Sequence, residues 1–288
     1  MSVASSPQHP SSGEPSPAAS PAPGSRPAPL SESAVVAALR AAGCVFAEDE
    51  ARLLMAAAAS PGPPDGGLEA LVARRVAGLP LEQVVGWAEF CGLRIALEPG
   101  VFVPRRRTEF LATRALELAP PRPVAVDLCC GSGAVAAVLA ARLDLAELHA
   151  ADVDPAAVRC ARRNVPPPGA VHEGDLFAAL PARLRGTVGV LCANVPYVPS
   201  GDIALLPQEA RVHEPLVALD GGGDGLRVLR RVTAGAAGWL APGGVLLIET
   251  GEHQVAAAVE AFARGGLDTR VEECAELGAT VVAGVRAR

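Results

Sequence analysis

From Ser31 onward, apolar positions recur at helical spacing. Ser33 is placed to cap a helix over Ala34–Ala42, Glu48–Ala59 makes a second helix, and Leu68–Ala77 a third that Gly78 closes. The run Pro61-Gly62-Pro63-Pro64-Asp65-Gly66-Gly67 separates the second from the third. Between Leu81 and Val103 the spacing changes. Trp87, Phe90, Leu93, Ile95 and Leu97 stand among Gly86, Gly92 and Gly100, the pattern of a hairpin connector. Pro104 then precedes a helix over Arg105–Leu118.

After Pro123, short continuous apolar runs alternate with helical stretches. Val124–Leu128 reads as a strand, Ala134–Arg142 as a helix and Glu147–Ala151 as a strand. Asp154 is placed to cap a helix over Pro155–Asn164, with proline at its first position. Then follow a strand over Val188–Ala193, a helix over Asp224–Leu240 and a strand over Val245–Glu249 after the Pro242-Gly243-Gly244 turn. Val271–Glu273 and Thr280–Val285 are the closing strands. Strands alternating with helices predict an α/β fold on a mostly parallel sheet, with a ligand at the carboxyl ends of its strands.

Composition sharpens this picture at a few points. Residues 1–30 are Pro, Ser, Ala and Gly with almost no large apolar side chain, which predicts a disordered tail. The expected organisation is therefore a tail over 1–30, a helical domain over 31–80, a hairpin connector over 81–103 and an α/β domain over 104–288. The apolar fraction of 50% is ample for a core, and no apolar run is long enough to span a bilayer. Net charge is −6 and lysine is absent, so arginine carries all the basic charge outside histidine. An acidic chain without a basic face argues against nucleic-acid binding. The seven cysteines show no CxxC spacing and no Cys/His cluster, which reads as reduced thiols in a cytoplasmic core and no metal site.

Two strand ends carry candidate chemistry. Val126-Asp127-Leu128-Cys129-Cys130-Gly131-Ser132-Gly133 ends the first strand of the α/β region in a turn where backbone can approach a ligand closely. Asp152 ends the next strand, 25 positions after Asp127, where a carboxylate can accept both hydroxyls of a ribose. Asp175, in Glu173-Gly174-Asp175-Leu176-Phe177, follows the expected third strand; it could accept an adenine amine while Leu176 packs on the ring. Ala134 and Ala136 leave no third glycine for a pyrophosphate, which favours S-adenosylmethionine over a nicotinamide dinucleotide. The second strand end is Ala193-Asn194-Val195-Pro196-Tyr197, holding the single tyrosine of the chain. An Asn amide and a neighbouring backbone carbonyl can accept the hydrogens of an –NH2 group, and the Tyr ring can stack on the planar group bearing it. Holding that nitrogen in line with a methyl donor is mainly proximity catalysis.

Together these segments resemble the HemK-type protein-(glutamine-N5) methyltransferases, from about Leu81 to the C-terminus. Phe102-Val103-Pro104-Arg105-Arg106-Arg107-Thr108-Glu109 is similar to the family's I-P-R-P-E-T-E, Asp127–Gly133 to D-L-G-T-G-S-G and Asn194–Tyr197 to N-P-P-Y. Glu214-Pro215-Leu216-Val217-Ala218-Leu219-Asp220-Gly221-Gly222-Gly223-Asp224-Gly225-Leu226 is similar to E-P-x-x-A-L-x-G-G-x-D-G-L. The resemblance implies a class I S-adenosylmethionine-dependent methyltransferase, a Rossmann-like fold with a small N-terminal helical domain, in a bacterial cytoplasm. It implies transfer to the glutamine of a Gly-Gly-Gln motif in a peptide chain release factor, by a chain expected to be monomeric. It assigns the cofactor to Cys129, Cys130, Gly131, Ser132, Gly133, Asp152, Asp175, Leu176 and Asn194. Asn194 and the carbonyl of Val195 would hold the acceptor amide, while Pro196 and Tyr197 shape its slot.

The chain departs from the family at Val195, Cys129, Arg106 and Arg107. The remaining alternatives are an amino-methyltransferase acting on adenine or guanine, and a cofactor-binding module without turnover. His213 and Glu214 read not as an acid/base pair but as a residue in the place of a family aromatic and a loop-ordering acid, and Glu249 reads as structural. Arg105–Arg107 reads as a solvated face, and Cys129 and Cys130 as buried thiols without an activating histidine.

Overall fold

The computed structural model describes residues 1, 30–60 and 66–288. The expected tail over 1–30 lies outside the described residues except for Met1 and Leu30, and so does the Pro61–Gly67 break except for Gly66 and Gly67. Helices α1 (Glu32–Ala41), α2 (Ala47–Ala59), α3 (Gly67–Val76) and α4 (Leu81–Val85) come first. They bury Val35, Leu39, Leu54, Leu71, Val72 and Val84 against one another in a core of their own. The cap of α1 is Ser31, whose hydroxyl accepts the Ala34 N–H, so Ser33 is not the N-cap. Helix α4 occupies part of the stretch read as connector. The hairpin itself is β1 (Trp87–Phe90) paired antiparallel with β2 (Leu93–Ala96).

The remainder is a seven-stranded sheet. Its elements are α5 (Thr108–Leu118), β3 (Val124–Leu128), α6 (Ala134–Arg142), β4 (Glu147–Asp152), α7 (Pro155–Asn164), β5 (Ala170–Glu173) and β6 (Val188–Ala193). Then follow β7 (Val198–Pro199), α8 (Gln208–His213), α9 (Leu216–Leu219), β8 (Asp220–Gly222), α10 (Arg227–Ala236), β9 (Leu240–Thr250), α11 (Val255–Arg264), β10 (Leu267–Cys274) and β11 (Ala279–Arg286). The strand order is β10-β11-β9-β6-β3-β4-β5; β3 to β6 and β9 run parallel, and β11 and β10 return antiparallel. The chain winds outward from β3 through β4 to β5, then crosses back to β6 on the other side of β3. The carboxyl ends of β3 and β6 flank that reversal, where an open α/β sheet forms its ligand crevice.

Both faces of the sheet are covered. Leu111, Val138 and Leu139 of α5 and α6 pack on one face, and Leu229, Val232 and Phe262 of α10 and α11 on the other. Every residue of β6 is buried, as a central parallel strand requires. Each fully buried Leu or Phe contributes about 1.5–3 kcal/mol relative to exposure.

The structure corrects several expected boundaries. Arg105–Arg107 form the turn before α5 and are not part of the helix. Helix α10 starts at Arg227, after Gly225 packs at φ 76° against the Tyr197 carbonyl, and it ends at Ala236, before β9 starts at Leu240. Strand β9 runs through Pro242-Gly243-Gly244: Val188 pairs with Leu240 and Val190 with Val245, so the extra residues bulge out without ending the strand. Helix α11 was not foreseen, nor was the small β7–β8 ribbon. None of the helices among the described residues is long and apolar enough to cross a membrane.

Candidate active site

A cavity of about 840 Å³ opens at the carboxyl ends of the parallel strands. That volume is in the range of a small-molecule cleft. One wall carries Cys129, Gly131, Asp152, Asp175 and Leu176, the other Asn194, Val195, Pro196 and Tyr197. Residues read from two separate strand ends thus line one cavity.

The turn after β3 is tightly built. The Gly131 N–H donates to Asp152 Oδ2 at 2.9 Å, and the Asp154 N–H to Asp152 Oδ1 at 2.9 Å. Both oxygens are held in place, and the carboxylate still faces the cavity. Burial pushes its pKa up, against the pull of those N–H groups. Cys129 adopts φ 54°, a left-handed conformation that costs a residue with a Cβ about 1 kcal/mol. Burial and the carboxylates of Asp152, Asp127 and Asp175 hold its thiol well above the ordinary range, so it stays protonated and is not a nucleophile.

On the acceptor wall, Asn194 follows the end of β6, and its Nδ2 donates to Thr108 Oγ1 at 3.2 Å. That bond takes one of the two Nδ2 hydrogens and sets the nitrogen toward Thr108, with Oδ1 as the accepting end of the amide. Tyr197 is braced from behind. Its hydroxyl donates to Glu249 Oε1 at 3.4 Å and accepts from Arg107 Nη2, and Arg107 Nε lies 3.1 Å from the same Glu249 oxygen. Burial and the Glu249 carboxylate raise the Tyr197 phenol to about 12, so it remains a hydroxyl. Glu249 is 2% exposed, and burial raises its pKa as well.

The backbone of this loop is pinned too. Gln254 Nε2 donates to the Tyr197 carbonyl at 2.9 Å and to the Asp224 carbonyl at 3.1 Å. Gly225, at φ 76°, packs so closely that a Cβ there would collide with the Tyr197 carbonyl and the Gln254 amide. The glycine-rich segment after Glu214 thus supports the Asn194–Tyr197 loop. Glu214 accepts the Val103 N–H at 3.1 Å and an Arg105 N–H at 2.5 Å, consistent with loop ordering.

Three other expected residues stand elsewhere. Cys130, Ser132 and Gly133 do not line the cavity. Cys130 is in the core, the Ser132 carbonyl accepts from Asn164 Nδ2 at 2.8 Å, and Gly133 lets α6 approach Ala161 of α7. The Val195 side chain is 1% exposed and packs into the core. The Asp175 carboxylate is paired with Arg231 at 2.6 Å. Arg105 and Arg107 line the cavity, although Arg107 remains 45% exposed, and Arg106 is solvated without lining it. Thr108 and Gln254 were not singled out in the sequence. Thr108 lay within a matching segment, but Gln254 gave no local signal.

The donor set fits S-adenosylmethionine. Asp152 offers acceptors to ribose hydroxyls, and Leu176 and Val153 offer apolar surface to an adenine. Asp152, at the end of β4, already accepts the Gly131 N–H of the turn after β3, a donor that a pyrophosphate would need.

Comparison with known proteins agrees with this geometry. The family model described as Methyltransferase small domain matches residues 92–196. The release factor glutamine methyltransferase of Mycolicibacterium smegmatis is 39% identical over 255 residues, covering 83% of this chain and 89% of that protein. The enzyme of the same name from Geobacter sulfurreducens is 38% identical over 199 residues, covering 68% and 69%. The 4-amino-L-phenylalanine/4-methylamino-L-phenylalanine methyltransferase of Streptomyces pristinaespiralis is 41% identical over 203 residues, covering 68% and 69%. A methyltransferase structure from Pyrococcus furiosus, 16% identical, superposes with a TM-score of 0.53 over 75% of this chain and 98% of that one, a likeness of fold alone. With two relatives near 40% identity, each aligned over more than two thirds of its length, this chain belongs to the release factor glutamine methyltransferase family.

Proposed function

We propose that this chain transfers a methyl group from S-adenosylmethionine to a glutamine side-chain amide nitrogen of a protein, namely the glutamine of the Gly-Gly-Gln motif of a peptide chain release factor. The observation that carries this reading is the orientation of Asn194: Thr108 engages its Nδ2, and Oδ1 is left to accept an acceptor N–H. The Val195 carbonyl supplies a second acceptor in the same loop.

S-adenosylmethionine, when bound, supplies the methyl group as a sulfonium electrophile. Asp152 and the turn at Cys129–Gly131 hold it at one end of the cavity. Asn194 and the Val195 carbonyl fix the planar amide by its two hydrogens, while Pro196 and Tyr197 flank it. Held so, the acceptor nitrogen would be presented toward the cofactor side of the cavity in one orientation, which is the proximity contribution of these residues. Once methylated, the nitrogen would be acidic and lose its proton to solvent, so no strong base is needed beside Asn194. Glu249 lies behind Tyr197 and is not among the cavity-lining residues; its part is to hold that ring.

A second acceptor class is favoured by Arg107, a cation lining the cavity at a position where the family motif carries an acid. A guanidinium there can meet the carboxylate of a free aromatic amino acid bearing a ring amine, the kind of substrate named for the Streptomyces pristinaespiralis relative. Methyl transfer assayed on a Gly-Gly-Gln release factor, on its Gln→Ala version and on 4-amino-L-phenylalanine separates these readings. Label on the intact release factor alone supports the glutamine reading. Equal label on the Gln→Ala version refutes it.

A further inference from the structure

Arg75 is a buried cation far from the cofactor turn, and it joins three parts of the chain. Its Nε and Nη2 donate to the two oxygens of Glu50 on α2, at 2.6 and 3.1 Å. Its Nη1 donates to the Leu79 carbonyl at 3.0 Å and to Glu209 Oε1 of α8 at 2.6 Å. The side chains of Arg75 and Glu50 are 9% and 11% exposed, whereas that of Glu209 is 46% exposed. The bidentate fork therefore locks Arg75 into the helical module, and its remaining amino group reaches out to α8.

Helix α8 belongs to the cavity. Leu206, Pro207, Glu209 and Ala210 line it, and Pro215 to Asp220 continue the same wall. A single turn-and-a-half helix has little stability of its own. Its placement depends on what holds its ends. Glu214, just past its C-terminus, is held by Val103 and Arg105. Glu209, in its first turn, is held by Arg75, and His213 comes to 3.7 Å from where a Cβ on Gly78 would stand. Exposed Leu205, Val212, Leu216 and Val217 show that the segment buries few large side chains of its own.

We infer that Arg75 is a positioning residue that couples the α1–α4 module to the α8 wall through Glu209, and so sets affinity for the acceptor. The last part rests on the proposed methyl transfer; the coupling itself does not. The module would then act on the substrate side of the cavity and leave the cofactor side unchanged.

The test uses the full chain with Glu209→Ala, which leaves the Arg75–Glu50 pair intact, alongside Arg75→Lys and the double variant. Hydrogen exchange at the Arg211 and Glu214 amides, whose bonds to Pro207 and Ala210 close α8, reads the coupling with no acceptor present. The expected result is exchange at least tenfold faster in Glu209→Ala, with S-adenosylmethionine affinity unchanged by calorimetry. With the Gly-Gly-Gln release factor, KM should rise about tenfold and kcat should change less than twofold. The double variant should raise KM no further than Glu209→Ala, because the link to α8 is already broken; the added loss of the Glu50 fork should read in urea stability and not in KM. Unchanged exchange overturns the coupling. Additive KM effects overturn it too, since Glu209 would then touch the acceptor on its own account. Wild-type inactivity on the release factor would count against the proposed substrate, and exchange would still decide the coupling.

Discussion

The side-chain amide of Asn194 donates to the hydroxyl of Thr108 across 3.2 Å, joining the end of β6 to the first residue of α5. One bond thereby sets Nδ2 toward Thr108, and in the proposed reading leaves Oδ1 to the acceptor. Asn194→Ala should cost kcat about 10²-fold while S-adenosylmethionine affinity is little changed, because alignment acts on the chemical step. Thr108→Val, isosteric but without the hydroxyl, should lower kcat by about tenfold. Steady-state kinetics with calorimetry of cofactor binding checks both; equal losses in kcat and cofactor affinity would contradict the assigned role.

Asp152 presents a carboxylate already fixed by two backbone N–H groups. Charge-assisted hydrogen bonds to two ribose hydroxyls would contribute about 1.5–3 kcal/mol in all. Asp152→Ala should therefore weaken S-adenosylmethionine binding by roughly tenfold to a hundredfold, read by titration calorimetry.

Tyr197 offers a ring to the acceptor and a hydroxyl to Arg107 and Glu249. Tyr197→Ala should mainly raise KM, because stacking is present in ground and transition states alike. Tyr197→Phe keeps the ring and should shift KM less than about threefold, by the same reasoning. A large KM increase in Tyr197→Phe would move the role from the ring to the hydroxyl.

Arg107 pairs with Glu249, whose side chain is 2% exposed while that of Arg107 is 45% exposed. Removing the guanidinium leaves a buried carboxylate with less compensation. Solvent screening on the Arg107 side reduces the cost, so Arg107→Ala should destabilise by about 1–2 kcal/mol in urea unfolding. Arg107→Glu should destabilise more, by setting two acids together.

Asp127, buried in β3, accepts the Ala136 N–H, yet burial raises its pKa from 3.8 to about 7. Between about pH 4 and pH 7 the native state therefore holds a proton that the unfolded chain releases. Stability should fall as pH rises through that window, by up to about 4 kcal/mol, and level off above it. Asp152, Glu214 and Glu249 are raised in the same direction and reinforce the slope. Asp127→Asn should make the slope shallower, measured as urea midpoints from pH 5 to pH 8.

The strand Val124–Leu128 and the helix Ala134–Arg142 were legible in the sequence to the residue, and so was the Asp154 cap of α7. A fully buried parallel strand is a continuous apolar run, and a cap is a local hydrogen bond; neither needs distant partners to be recognised. Helix α11 was passed over although Val255–Arg264 does carry an apolar stripe, which buries Ala258, Ala261 and Phe262. The bulge at Pro242–Gly244 read as a turn because its neighbours in the sheet, not its own residues, carry the pairing onward.

The chain by itself determined the α/β class, the two strand ends that meet at the cavity, and the acid that faces its cofactor side. These follow from short-range periodicity and from motif residues adjacent in sequence. Only the tertiary structure decided that Thr108 orients Asn194, that Arg107 and Glu249 brace Tyr197, and that Arg75 reaches α8 through Glu209. Those partners lie tens to more than a hundred positions apart. The contacts that join them come from sheet order and helix packing, which local pattern does not encode.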